Sequence, residues 1–227
     1  MKLLAIETAT ERCSVALSVD GEVLSRGQQA PRQHAALLLP WVKELLAEAG
    51  IRLRDIDALA FSRGPGSFTS LRIGIGVTQG LAWGAEIPVV PVSSLNCAAQ
   101  VAAQQGVTHA LVALDARMAE VFCGRFHVDG SGIMQPGGEE RVCAPHIAAA
   151  MAGPDLSGVG NGFERYPALQ NVTRDLASVY PETLPDATAM IPLALNWLQS
   201  NSALPASKAQ PVYLRDKVAE KPRAPRP

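Results

Sequence analysis

The segment Gly64-Pro65-Gly66-Ser67-Phe68-Thr69 is the strongest local signal for chemistry. It lies between an apolar run (Ile56 to Phe61) and a helical pattern. Glycines there allow positive φ and close approach of a ligand or another backbone. Ser67 or Thr69 can cap the helix that follows, and open amides at a helix start favour an anion. No Gly-Lys-Ser/Thr follows, so it is not a Walker A loop. A plain tight turn with an N-cap accounts for it equally well. His34, His109, His127 and His146 form neither H-x-x-x-H nor H-E-x-x-H, which argues against a metal site. No G-x-S-x-G nucleophile elbow occurs. Cys13, Cys97, Cys123 and Cys143 show no C-x-x-C spacing and read as small reduced thiols.

The elements that position these residues follow from periodicity. Residues 2–7 read as a buried strand, and Cys13 to Val19 as a second that turns at Asp20-Gly21 into a third at Val23-Leu24. A helix is expected over 33–49, with Leu38, Trp41 or Val42, Leu45 and Ala49 at helical spacing. Pro40 should bend it or mark its first turn, and Gly50 should stop it. A strand over 56–61 leads through the glycine segment to a helix from about Thr69 to Gly84. Strand 87–91, helix 93–104, strand 110–114, a hairpin at Asp129-Gly130 and helices near 146–151 and 188–199 complete the pattern.

The helix over 69–84 is unusual in holding Gly74, Gly76, Gly80 and Gly84. Each interior glycine costs roughly 1 kcal/mol against alanine. Gly76, Gly80 and Gly84 fall on nearly one stripe, with Arg72 a turn earlier, which lets another helix approach closely. That helix belongs either to the same chain or to a partner. The second reading is favoured, because the preceding helix is apolar on two sides. The expected association surface takes in His34, Leu38, Trp41, Leu45, Leu71, Arg72, Ile75, Gly76, Gln79, Gly80 and Trp83.

The chain has 227 residues, 48% of them hydrophobic and 18% charged, with net charge −1. That is ordinary for a globular protein and gives no overall field to gather nucleic acid. Met1-Lys2 runs straight into a short apolar stretch that ends at Glu7, too short for a signal peptide, and no apolar run reaches membrane-spanning length. A reducing cytoplasm is expected. Ile6-Glu7 opens a segment that ends at Asp20-Gly21, and Leu114-Asp115 opens one that ends at Asp129-Gly130, at almost the same spacing. Two similar α/β halves are therefore expected.

These motifs together resemble the bacterial TsaB (YeaZ) family. The resemblance rests on Ile6-Glu7-Thr8, the stretch from His34 to Leu39-Pro40, and Gly64 through Ser70-Leu71-Arg72. It rests also on Leu114-Asp115-Ala116-Arg117-Met118, Gly160-Asn161-Gly162 and Pro211-Val212-Tyr213-Leu214-Arg215. Ser70 replaces a usual glycine. The segments span nearly the whole chain in order.

The resemblance implies an α/β, actin-like (ASKHA, RNase H-like) fold of two similar subdomains. We place these at 1–106 plus about 205–216 and at 107–204, with Lys217 to Pro227 a disordered tail. It implies a non-catalytic subunit of the tRNA threonylcarbamoyladenosine (t6A) modification system. Such a subunit pairs with and activates a catalytic TsaD homologue that holds the metal, and the TsaE ATPase joins them. In actin-like ATPases the first hairpin loop holds phosphate and an acidic strand end serves Mg²⁺. By that likeness Glu7, Thr8, Thr10, Gly64, Gly66, Ser67 and Asp115 are the candidates for nucleotide contact. No tightly held cofactor or metal is expected, only weak ATP or ADP binding in the complex. Contact with tRNA is expected through the complex, self-association into a homodimer stays open, and no membrane is involved. Ser94 and Ala98 align with the metal-binding histidines of the catalytic relative, and neither side chain can replace an imidazole. The alternatives are a glycoprotease-like peptidase and a stand-alone actin-like small-molecule kinase.

Overall fold

The structure is a computed structural model that describes residues 1–215; the tail expected from Lys217 onward lies outside the described residues. The first half runs β1 (Lys2–Glu7), β2 (Arg12–Val19), β3 (Glu22–Gln29), α1 (His34–Glu48), β4 (Ala58–Gly64), α2 (Phe68–Ala85), β5 (Val89–Ser93) and α3 (Ser94–Ala103). The second runs β6 (His109–Asp115), β7 (Val121–Val128), β8 (Met134–Pro136), β9 (Arg141–Cys143), α4 (Pro145–Ala149), β10 (Ser157–Val159), α5 (Gly162–Arg165), α6 (Pro167–Gln170), β11 (Ser178–Tyr180) and α7 (Ala187–Ser200).

The two sheets share one topology. In the first the order is β3-β2-β1-β4-β5, with β2 antiparallel to β1 and to β3, and β4 parallel to β1 and β5. In the second it is β8-β7-β6-β10-β11, with the same senses at every step and β9 added on β7. Glu7 and Asp115 end the equivalent strands β1 and β6, and Asp20-Gly21 and Asp129-Gly130 lie in the equivalent hairpins. The two halves thus repeat one α/β topology, as the matched spacing of acidic residues and turns implies.

Alternation along β1 explains the layering. Leu4 and Ile6 face the core under α1 and α2, while Leu3 and Ala5 face the core under α7. In the second sheet Ala110, Val112 and Leu114 face α3, and Leu111 and Ala113 face α4 to α6. Four of the six residues of β1 and five of the seven of β6 are apolar and buried, as strands covered on both faces require. Gly50 follows α1 at φ +66°, the left-handed stop expected of it. Pro40 does not mark the first turn of α1: it sits inside the helix that begins at His34.

The expected boundary at residues 106/107 does not divide the packing. α3 belongs by sequence to the first half but covers the second sheet, and α7 belongs to the second half but covers the first sheet. The two helices pack side by side between the sheets. The reason is geometric: each crossover helix must cover the apolar face left open beside it, and those faces look at each other. After α7 the chain returns to the first subdomain. Leu204 bridges to Val89, Gln79 Nε2 donates to the Ala209 carbonyl at 2.8 Å, and the Val212 amide donates to the Arg63 carbonyl at 2.8 Å.

Candidate functional site

Two features stand out: the cleft between the subdomains and the outer face of α1 and α2. The cleft has a volume of about 690 Å³. Thr10 and Glu11 of the β1–β2 loop, Gly66 to Ser70 at the start of α2, and Asp115 to Met118 after β6 line it, with Asn161 and Arg215. Of the seven residues proposed for nucleotide contact, Thr10, Gly66, Ser67 and Asp115 therefore meet at one place.

Glu7 and Thr8 do not. Glu7 is completely buried; the Ala9 amide donates to its Oε1 at 2.6 Å, and its Oε2 has no partner. Burial pushes its carboxyl up to about 7, against the opposing Ala9 hydrogen bond and with the Asp186 charge adding to the rise. A sealed carboxyl of this kind cannot reach a ligand in the cleft. Thr8 is buried against α2, where a Cβ on Gly74 would overlap its Oγ1. Gly64 is held at φ +92° and precedes a cis proline. A Cβ on Gly66 would overlap the Ala9 carbonyl, and the Ser67 amide donates to that same oxygen at 2.7 Å. The glycine segment thus closes onto the chain's own first loop, which is sufficient reason for its glycines.

Asp115 is also engaged. Its carboxylate meets Arg117 and Arg165, each at 3.1 Å, and accepts from Tyr166 Oη at 2.6 Å and the Arg117 amide at 2.9 Å. Two guanidinium groups and a phenol leave it poorly suited to a cation. Arg117, Met118 and Ala119 follow, all with φ between 53° and 60°. Left-handed backbone costs about 1–2 kcal/mol for each such residue. The turn is held by Asp115, by the Ala116 amide on the Glu120 carbonyl, and by Arg215, which pairs with Glu120 and donates to the Ala116 carbonyl at 3.1 Å. Asn161 spans the cleft: its Oδ1 accepts from the Asp115 amide at 2.8 Å and its Nδ2 donates to Glu11 Oε1 at 3.2 Å. Sequence reasoning missed Arg165 and Tyr166 as site residues, and Asn161 was visible only within the Gly160-Asn161-Gly162 turn.

The positions aligned with the relative's metal ligands are filled differently. Ser94 Oγ lies 2.6 Å from Ser62 Oγ, and Ala98 is sealed in the core under α3. Among the described residues no cluster of three or more His, Cys, Asp or Glu side chains could hold a metal ion.

The outer face of α2 divides its glycines. Gly74 is packed on Thr8, whereas a Cβ on Gly76, Gly80 or Gly84 would meet nothing within 4 Å. Along the same face Trp83 is 61% exposed and Phe68 42%, and Leu39 of α1 is 51% exposed. Arg72 lies 3.7 Å over the Phe68 ring and donates to Tyr213 Oη at 3.1 Å. Part of the expected association surface needs correction. His34, Leu38, Leu45, Leu71 and Ile75 are at most 6% exposed, because they form the inner face on which α1 and α2 pack against the sheet. Trp41 is half-buried against the same core. Gln79 is committed to the Ala209 carbonyl. Arg72, Gly76, Gly80 and Trp83 remain on the open face.

Known relatives share this organisation over their whole length. The chain is 42% identical to the tRNA threonylcarbamoyladenosine biosynthesis protein TsaB of Escherichia coli, covering 97% of each. It is 39% identical to that of Haemophilus influenzae, covering 97% of this chain and 96% of that protein. The family model described as TsaD, tRNA N6-adenosine threonylcarbamoyltransferase, matches residues 26–225. The chain belongs to the TsaB family, within that wider TsaD family. Among solved structures, YeaZ from Pseudomonas aeruginosa aligns with a TM-score of 0.84 at 40% identity, covering 94% of this chain and 99% of that one. A protein described as similar to the peptidase YeaZ aligns with a TM-score of 0.85 at 42% identity, with the same coverage. A tRNA N6-adenosine threonylcarbamoyltransferase of Chlorobium luteolum is 33% identical over 42% of this chain and 32% of its own length. TsaB chains and the transferase are thus related in sequence, and among the described residues of this TsaB family member no helix is long and apolar enough to cross a membrane.

Proposed function

We propose that this chain is the non-catalytic partner subunit of the t6A modification system, pairing with a TsaD-type transferase and activating it. The observation that carries the reading is the open line of Gly76, Gly80 and Gly84 on a helix otherwise well packed. Three exposed glycines each cost helix stability and make no compensating contact among the described residues. A helix of a partner seated on them would supply that contact, with Trp83 and Arg72 as anchors of the kind that dominate interfaces. The full-length likeness to curated TsaB proteins supports the same function. Assembly with a TsaE-type ATPase, action on tRNA through the complex, a homodimer in isolation and a cytoplasmic location all belong to this reading.

The engagement of Asp115 and the burial of Glu7 disfavour a stand-alone kinase, which needs an open acidic pair for Mg²⁺. Weak ATP or ADP binding in the complex belongs to the same reading. The cleft lining holds hydroxyls and an imidazole, but they are not paired as nucleophile and base: Ser70 Oγ donates to Ser67 Oγ, and His34 Nε2 lies 3.0 Å from the Thr10 carbonyl, which disfavours a peptidase. The test is reconstitution of threonylcarbamoyl transfer to tRNA from purified transferase and ATPase homologues. Transfer should require this chain, and the chain alone should give none. Full transfer without it, or transfer by it alone, would overturn the proposal.

A further inference from the structure

Cys123 and Cys143 are far apart as sequence motifs, yet their sulfurs lie 3.5 Å from each other. The register places Cys123 opposite Arg141 and Cys143 opposite Val121, so the two thiols are diagonal neighbours on one face of the β7–β9 ladder. Cys123 is buried, while Cys143 is half-buried and is the more accessible of the two. We propose that this pair is a redox modification site, in which a hydroperoxide oxidises Cys143 and Cys123 then closes it to a disulfide.

The steps balance. The Cys143 sulfur attacks the peroxide oxygen, giving a sulfenic acid and releasing water or the corresponding alcohol. The Cys123 sulfur then attacks the Cys143 sulfur and expels the hydroxyl as a second water. Two thiols lose two hydrogens and two electrons, and the peroxide accepts them. Burial pushes the Cys123 thiol up to about 12, with Cys143 adding to the rise, so Cys123 stays protonated and unreactive toward peroxide at neutral pH. The strand that must yield is suited to it. β9 has three residues and is joined to the sheet through β7 alone among the described strands. A one-sided edge strand can shift to bring diagonal thiols to bonding distance.

The position has a consequence. Glu140 directly precedes β9 and ties the second subdomain to the first, accepting from Arg63 at 3.2 Å and from the Ser93 hydroxyl. A bond at Cys143 would therefore fix the strand that delivers this cross-subdomain carboxylate. Among the described residues neither Cys13 nor Cys97 meets a second thiol; both are buried and serve as internal controls.

The test treats the full, reduced chain with hydrogen peroxide and follows intact mass and mapped peptides. The expected product has lost two hydrogens, carries a single Cys123–Cys143 link and reverts with dithiothreitol. In Cys123→Ser the Cys143 sulfenic acid should persist and be trapped by a cyclic 1,3-diketone. Cys143→Ala, at the half-buried position, should keep the fold and form no link. Oxidation of Cys143 to sulfinic acid in the wild type without a link would overturn the proposal. So would a link to Cys13 or Cys97, or four free thiols under peroxide that fully oxidises glutathione.

Discussion

At the scale of single residues, Glu7 and the glycines show how the first loop is built. Glu7 takes up a proton more readily in the folded chain than in the unfolded one, about 7 against about 4.5. The folded state then holds more protons between those values, so stability falls as pH rises through that window. The penalty is absent below about 4.5 and complete above about 7. Glu7→Gln keeps a carbonyl for the Ala9 amide and removes the charge. We expect it to raise the melting temperature at pH 8 and to do little at pH 4.5, with a difference of up to about 3 kcal/mol. Equal effects at both pH values would contradict a buried, proton-holding Glu7. Gly74→Ala has the opposite sign, because the new Cβ would overlap Thr8 Oγ1 inside the packed core. Overpacking of this kind costs about 1–3 kcal/mol, to be read from denaturant unfolding. The sequence flagged Glu7 as acidic and strand-terminal, which was right. It could not show that the next two residues would fold over the carboxyl and seal it.

At the scale of elements, α2 packs on the sheet with one face and leaves the other open, the face proposed for docking. Gly80→Leu places a side chain where nothing lies within 4 Å. In the free chain the substitution should be neutral or gain about 0.8 kcal/mol from helix propensity. The free variant's melting temperature should thus be unchanged or higher by about 2–3 °C. A marked fall would mean that the stripe is internally packed. Helical spacing made the stripe visible in the sequence, along with Arg72 and Trp83. It could not separate the two apolar sides of α1 and α2, because Leu38, Leu45, Leu71 and Ile75 are apolar in the same way as exposed Leu39 and Phe68. Which side meets the sheet is decided by the turn of the helix on the strand before it. Asp115 was likewise legible as the partner of Glu7 in the repeat. Two of its partners, Arg165 and Tyr166, lie at the end of α5 some fifty residues later, and only the fold brings them to it.

At the scale of the whole molecule, the exchange of α3 and α7 ties the halves into one unit. Met190 of α7 is fully buried on the first sheet, and Leu95 of α3 on the second. We expect Met190→Ala to cost about 2–5 kcal/mol and to lower one cooperative transition for both sheets. Two separated calorimetric transitions would contradict the interlocking. The duplication was readable from matched acidic residues and turns, but the exchange was not, since periodicity says that a helix has an apolar face and not which sheet receives it. The central claim is that this TsaB family member works by docking the open face of α2 onto a TsaD-type transferase. It is tested most directly by titrating the transferase with wild type and with Gly80→Leu. Side-chain intrusion into a close helix contact costs about 1–3 kcal/mol, so the account predicts affinity weaker by roughly ten- to a hundredfold, with the free variant as stable as the wild type. Wild-type affinity in that variant would contradict it.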